Sequence, residues 1–369
     1  MFNNKQLTRR LEVSFNRIDK VILLVVYLLV TVGTIFIYSA TKEEGKTIII
    51  KHIIWVVTGT GLMIFFMFYD YRKLKKKSLW IYLGAIAILV SVLLVGKKTL
   101  GAQRWLQFGP ITIQPSEFVK VAVIITLAAF ICKHFKNGMN GIFDIAVCFL
   151  PVSVIAALIY LQPDLGTTLS LVFMFLSMIF MYGARMKSLI ILGIFALVIS
   201  VPVYIFLASD YQKQRVETFL NPEKDLKGSG YHIVQSKISI GSGGISGTGI
   251  FKGSQGRLSF LPEAQTDFIF SIISEELGFI GSSIVIILYF LLIFYILRIC
   301  RLLDDDFGKL ILYGIASIFF FHLIVNVGMT MGLMPVTGKP LLFLSYGGSS
   351  YMSSFIMIGL VESVKIHVD

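Results

Sequence analysis

Residues Leu261–Leu297 read LPEAQTDFIFSIISEELGFIGSSIVIILYFLLIFYIL. From Phe268 on, the only charged residues are Glu275 and Glu276. The run is longer than the roughly 20 residues that cross a hydrocarbon core as a helix. It reads as a membrane span whose first two turns lie in a protein-lined cavity rather than in lipid. An acid at a bilayer centre costs about 2.5–3.5 kcal/mol. Pro262, Glu263, Thr266 and Asp267 at the mouth of the run, and the two glutamates inside it, therefore need a reason. Chemistry at the membrane surface is one.

The remainder of the chain has the same character. Of its 369 residues, 56% are hydrophobic and 15% charged, with a mean hydropathy of +0.82, whereas soluble domains are far more polar. The expected class is an all-α polytopic membrane protein, a single integral membrane domain over residues 1–369. Ten spans are predicted, near Val21–Ser39, His52–Tyr69, Ser78–Val95, Phe118–Ile131, Ile142–Leu161, Leu165–Tyr182, Ser188–Leu207, Phe268–Leu297, Ile311–Met331 and Leu341–Val361. The first is too long for a signal-peptide core and reads as a retained span. With the N-terminus inside, the inner segments hold eighteen Lys and Arg against seven in the short outer loops. That bias places both termini in the cytoplasm and Asp267 on the outer side. The net charge of +12 follows from basic inner loops facing anionic lipid headgroups. No basic soluble domain suited to nucleic acid is present. Cys132, Cys148 and Cys300 suggest neither a disulfide framework nor a metal site.

One connection is long. Residues 209–266, between the seventh and eighth spans, form a 58-residue loop on the outer side. It is rich in glycine from Gly241 to Gly256 and carries Arg215, Lys224, Lys227, Lys237, Lys252 and Arg257. A structureless loop of that length is uncommon unless functional. Apolar spacing at Ile233, Val234, Ile238 and Ile240 predicts a short amphipathic helix on the membrane surface. The glycines never form a dinucleotide fingerprint, and they serve either a tightly turning loop or a close approach of backbone N–H groups to a phosphate. Ala40–Thr47, ATKEEGKT, lacks the first glycine of a P-loop.

Polar residues gather at the predicted outer ends of spans. Asp267 suits a helix cap and suits a general base, and the residues alone weigh the two equally. The helix dipole and nearby cations are expected to keep it ionised while lowering its basicity. In QPSEFVK, Ser116 suits a cap, and Glu117 and Lys120 share one helix face as an ion pair. Asp164 in QPDLGT reads as a cap. Arg104, beside Trp105, suits the membrane interface. Arg215 and Lys237 suit either surface solvation or the grip of a diphosphate. His322 and Asn326 read as interhelical hydrogen-bonding groups rather than metal ligands. Glu275 and Glu276 point to different sides of their helix, so at most one shares a cavity with Asp267.

The segments GAQRWLQFGPITIQPSEFVK, QPDLGT, RVETFLNPEKD, GYHIVQSKISIGSGG, GSQGRLSFLPEAQTDFIFSIISEELGFIG and PVTGKPLLFLSYGGSS together resemble the SEDS family of bacterial cell-wall proteins, from the first span to the last. Details at Tyr231-His232, Gln235–Ile238 and Gly253–Gln255 favour its elongation branch over its division branch. The resemblance implies a ten-span peptidoglycan glycosyltransferase of the bacterial cytoplasmic membrane, polymerising lipid II for cell shape beside a class B penicillin-binding protein. It puts the essential acid on Asp267 and supporting polar roles on Glu117, Lys120 and Asp164. The last motif departs from the family pattern: Lys339 stands where an apolar residue is usual, and Leu342 where Pro is. The expected reaction has Asp267 take the proton of a sugar hydroxyl, with Lys120, Arg215 and Lys237 as candidates to assist a leaving diphosphate. No cofactor is assigned, and a divalent cation, Mg²⁺ or Mn²⁺, is a candidate helper without a complete ligand set. The rival classes are a lipid II flippase and a scaffold that only positions the penicillin-binding protein.

Overall fold

The computed structural model describes residues 17–42, 46–99, 102–109, 111–135, 138–139, 141–194, 198, 210–222, 228–254 and 261–367. Helices α1 (Lys20–Ala40), α2 (Lys46–Phe68) and α3 (Arg72–Val95) are followed by strands β1 (Lys97–Thr99), β2 (Ala102–Phe108) and β3 (Ile111–Ile113). Next come α4 (Pro115–His134), α5 (Ile142–Tyr160), α6 (Leu165–Met181), α7 (Asp210–Leu220) and α8 (Ser229–Gly243). The chain closes with α9 (Ile269–Cys300), α10 (Asp306–Thr330) and α11 (Gly348–Ile366).

Among the described residues seven helices, α1 to α5, α9 and α10, are long and apolar enough to cross a membrane. Helix α6 is apolar but shorter. The predicted seventh span, Ser188–Leu207, lies largely outside the described residues, of which 188–194 are helical. Helices α4, α10 and α11 form the centre and are buried along most of their length. Helices α2 and α3 bury only narrow stripes and display Phe65, Trp80 and Leu94. Large apolar side chains on that scale at a periphery match a lipid surround. Helix α11 is serine-rich, yet Ser353, Ser354 and Ser363 are fully buried. Small residues let it approach α2 closely: a Cβ on Gly359 would lie 2.5 Å from the Met63 carbonyl oxygen, the packing mode of small-residue helix interfaces.

The segment between α3 and α4 is a three-stranded antiparallel sheet in the order β1-β2-β3. Trp105 pairs with Lys97, and Leu106 with Ile113. Helix α8 does form, but it docks on protein rather than lying on a membrane surface. Its inward face carries Ile233, Ser236 and Ser239. Ser236 Oγ lies 2.6 Å from Ser271 Oγ and donates to the Thr330 carbonyl at 2.7 Å. Ile238, expected on the apolar face, is exposed.

Helix α9 is broken at Gly278 (φ 66°, ψ −164°). The break would orphan the N–H groups of Phe279 and Ile280 and the carbonyls of Glu275 and Glu276, which in an unbroken helix bond each other. The glycine-rich segment after α8 replaces both rungs. Phe279 N–H donates to the Gly244 carbonyl (2.9 Å) and Ile280 N–H to the Ile245 carbonyl (3.2 Å). Thr248 N–H donates to the Glu275 carbonyl (2.9 Å) and Gly249 N–H to the Glu276 carbonyl (3.0 Å). The two glutamates tie the same segment by their side chains. Glu275 Oε1 accepts from Ser254 N–H (2.6 Å), and Glu276 Oε2 accepts from Phe251 N–H (2.7 Å). These contacts account for both acids, and the glycines serve close approach to a helix backbone. A Cβ on Gly278 would sit 2.3 Å from the Gly247 nitrogen, and one on Gly247 would sit 2.2 Å from the Glu276 carbonyl oxygen.

Gly247→Ala is therefore expected to expel the segment and lower stability by about 2 kcal/mol or more, since each orphaned buried group costs about 1–3 kcal/mol. Thermal unfolding of purified protein in detergent checks this. Gly61→Ala, where nothing lies within 4 Å of the new Cβ, is the matched control and leaves the melting temperature unchanged or raised. A Gly247→Ala protein that melts like wild type contradicts the insertion.

Candidate active site

Three helices, α4, α9 and α11, begin at one cavity of about 300 Å³ at one end of the bundle. Gln114 and Glu117 line it from the start of α4, and Glu263, Thr266 and Asp267 from the turn before α9. Gly338, Pro340 and Tyr346 line it from the link between α10 and α11, with Gly347, Ser349 and Ser350 at the start of α11. Strand β2 contributes Arg104 and Trp105, and α7 contributes Arg215. None of the three helix starts is capped by a side chain. Their N–H groups and dipoles favour negative charge in the cavity.

Asp267 is positioned through its backbone. Glu263 adopts φ 54°, and its carbonyl accepts from the N–H groups of Thr266, Asp267 and Phe268 at 3.1, 3.1 and 3.3 Å. Asn326 Nδ2 donates to the Asp267 carbonyl at 2.9 Å. The N-cap of α9 is Phe268, and Asp267 does not cap the helix with its side chain. The capping reading is thereby excluded, and the carboxylate faces the cavity. A Cβ on Gly338 would lie 3.3 Å from Asp267 Oδ2 and 4.0 Å from an Arg215 guanidinium nitrogen, so carboxylate and guanidinium approach the same open spot. Burial, reinforced by Glu263, pushes the Asp267 carboxyl up to about 6, against the pull of Arg215, Lys339 and Arg104. This reverses the expected loss of basicity: desolvation outweighs the nearby cations.

The other sequence candidates fall at different depths. Glu117 and Lys120 form the predicted pair, Nζ to Oε2 2.9 Å, both buried. Lys120 Nζ also donates to His322 Nε2 at 3.0 Å, which leaves Nδ1–H to donate to the Pro340 carbonyl at 2.8 Å. Lys120 thus acts behind the cavity wall. Asp164 caps α6 through Thr167 N–H (3.1 Å), accepts from Gln114 Nε2 (3.2 Å) and pairs with Lys339 Nζ at 3.1 Å. Burial pushes the Asp164 carboxyl up, but Lys339, Arg104 and Thr167 outweigh it and hold it well below the usual carboxylate range. Arg104 donates to the Gln162 carbonyl (3.2 Å) and to the Pro163 carbonyl. Lys237 is not among the lining residues; it is exposed and lies over Gly332, just past the end of α10. Ser116 does not cap α4.

Sequence reasoning missed Tyr346, Ser349, Ser350 and Lys339 as parts of this site. Their only signal was the motif whose role the two departures left open. His322 and Asn326 hydrogen-bond as expected, but their partners include the Asp267 backbone and the Lys120 ammonium. Among the described residues no three His, Cys, Asp or Glu side chains gather to hold a metal ion.

The sequence profile of the FtsW/RodA/SpoVE family, described as cell cycle proteins, matches residues 19–369. A peptidoglycan glycosyltransferase RodA of Treponema pallidum is 36% identical, over 94% of this chain and 97% of that protein. The peptidoglycan glycosyltransferase MrdB of Escherichia coli K12 is 36% identical, over 95% of this chain and 94% of that one. Among solved structures, a chain of a peptidoglycan synthase complex that coordinates polymerization and crosslinking superposes with a TM-score of 0.79 and 29% identity, covering 95% of this chain and 99% of that one. The rod shape determining protein RodA of Thermus thermophilus superposes with a TM-score of 0.70 and 27% identity, covering 94% of this chain and 96% of that one. The chain belongs to the FtsW/RodA/SpoVE family of polytopic membrane proteins.

Proposed function

We propose that this chain is a peptidoglycan glycosyltransferase of the RodA type. It polymerises lipid II at the outer face of the cytoplasmic membrane, with both termini cytoplasmic, for cell elongation. The observation that carries the reading is the Asp267 carboxylate. It faces an end-of-bundle cavity beside Arg215, with no hydrogen bond or ion pair committing its oxygens among the described residues. The names of the relatives support the chemistry.

In this reading Asp267 accepts the proton of the C4 hydroxyl on the acceptor's GlcNAc. The freed oxygen attacks the anomeric carbon of the donor's MurNAc, and its configuration inverts. The bond to undecaprenyl diphosphate breaks, and the electron pair leaves with the diphosphate. Arg215, Arg104 and the three uncapped helix starts supply positive potential for that leaving group. Lys120 and Lys237 contribute only indirectly, since one is spent on Glu117 and His322 and the other stands away from the cavity. Among the described residues no three His, Cys, Asp or Glu side chains gather to hold a metal ion, and no step is routed through one. A class B penicillin-binding protein is the expected partner for cross-linking.

Purified protein, with its transpeptidase partner, is tested on fluorescent lipid II by gel separation of polymer. Asp267→Asn is expected to lower the rate by about 10²-fold or more, as for loss of a positioned base. Full polymer yield from both Asp267→Asn and Asp267→Ala rejects the assignment. Transfer of lipid II across liposome membranes without polymer favours a flippase.

The pH profile adds a second check. The base works ionised, so the rate falls as pH drops through about 6 and is flat above it. Glu263→Gln removes a charge that raises Asp267 and shifts the acid limb to lower pH. Arg215→Gln removes one that lowers it and shifts the limb to higher pH. Opposite shifts contradict the electrostatic account.

A further inference from the structure

We propose that Lys339 is a positioning residue of this active site, clamping the wall that faces Asp267 to the first turn of α6. The inference rests on the glycosyltransferase reading above and concerns a residue that departs from the pattern expected at its position.

Lys339 is buried in the link between α10 and α11, and its ammonium reaches out of that link to α6. There it meets Asp164 Oδ1 at 3.1 Å and donates to Thr167 Oγ1. The aliphatic stem crosses directly over Gly166. A Cβ on that glycine would lie 2.5 Å from Lys339 Cε and 2.9 Å from Cγ. Gly166 therefore makes the passage that the lysine occupies.

The Lys339 backbone points the other way. Its carbonyl accepts from Asn326 Nδ2 at 2.8 Å, and the same amide nitrogen donates to the Asp267 carbonyl at 2.9 Å. The next carbonyl, of Pro340, accepts from His322, which is held by Lys120 and Glu117. Gly338, just before Lys339, borders the open spot between Asp267 and Arg215. The two buried ion pairs, Glu117–Lys120 and Asp164–Lys339, thus converge on adjacent residues of one short strip. That strip sets how close the cavity wall stands to Asp267. Lys339 touches no reacting atom in this account; it acts through the strip.

Three variants test the clamp: Lys339→Met keeps the stem and removes the charge, Asp164→Asn/Lys339→Met removes both charges, and Gly166→Ala displaces the stem and keeps both charges. Readouts are kcat and KM for lipid II polymerisation, the pH profile, and hydrogen–deuterium exchange of the segment 336–346. Lys339→Met is expected to lower kcat by about tenfold or more with little change in KM, to move the acid limb to higher pH and to speed exchange in the segment. The double variant should recover at least threefold of the lost kcat, because the buried carboxylate no longer lacks its partner. Gly166→Ala should reproduce the faster exchange and lower kcat, and it serves as the test should Lys339→Met fail to fold.

Unchanged exchange in both Lys339→Met and Gly166→Ala overturns the clamp. A rise in KM with unchanged kcat overturns it in favour of direct substrate contact. A double variant no better than Lys339→Met overturns the role of charge balance. Activity of Asp267→Asn would instead remove the base assignment, and the exchange result would stand apart from it.

Discussion

A charge inside a lipid-surrounded bundle persists only with a partner, because transfer from water costs several kcal/mol per ion even after relaxation. The centre of this protein is arranged around that requirement. Glu117–Lys120 and Asp164–Lys339 are buried pairs, each extended by neutral groups: His322 on one side, Thr167 and Gln114 on the other. Of these four groups only Glu117 lines the cavity; Lys120, Asp164 and Lys339 are buried behind it with little freedom to move or to meet a ligand. Their effect is to fix α4, α6 and α10 against the link that precedes α11. Asp267 is the contrast. It sits at the same end of the bundle, half-buried, with its backbone pinned and its carboxylate turned to open space. Rigid pairs around an uncommitted acid are the arrangement that preorganised catalysis favours.

The same division separates what the sequence makes legible from what it hides. Asp267 and Glu117 stand at the ends of apolar runs, where a charge conflicts with its surroundings, and that conflict marks them without any coordinates. The pairing of Glu117 with Lys120 follows from helical spacing. Lys339 is invisible to such reasoning because its partner lies on a distant helix, and only the folded bundle brings it to Asp164. Asp164 reads as a cap from its motif and is one; its second partner is the hidden part. Lys237 shows the opposite failure. It looks as suitable as Arg215 by charge and position in the loop, yet α8 turns it away from the cavity toward Gly332.

The glycine-rich segment gives a sharper version of this lesson. A run of glycines signals that backbone must pass close to something, but it does not name the neighbour. Phosphate and peptide both fit. Here the neighbour is another part of the same chain, and Glu275 and Glu276 are the reason it stays. The helix α8 was equally readable in extent and misread in placement, because serines at Ser236 and Ser239 docked it by hydrogen bonds. Apolar periodicity does not report such contacts. Strand β2 escaped notice for the related reason that a short hairpin sheet carries too few residues to impose a period.

The break in α9 also bears on how the chain reaches its fold. Below Gly278, residues 279–300 run for about 33 Å at 1.5 Å per residue, which suffices for one crossing of a hydrocarbon core. An insertion machinery that senses apolar length can therefore release this half into lipid as a finished span. The half above it, which bears Asp267 at its entrance, has no such autonomy: its open rungs are closed by a segment made earlier in synthesis. The end of α9 that leads to Asp267 therefore has its full set of backbone hydrogen bonds only once that earlier segment has docked on it.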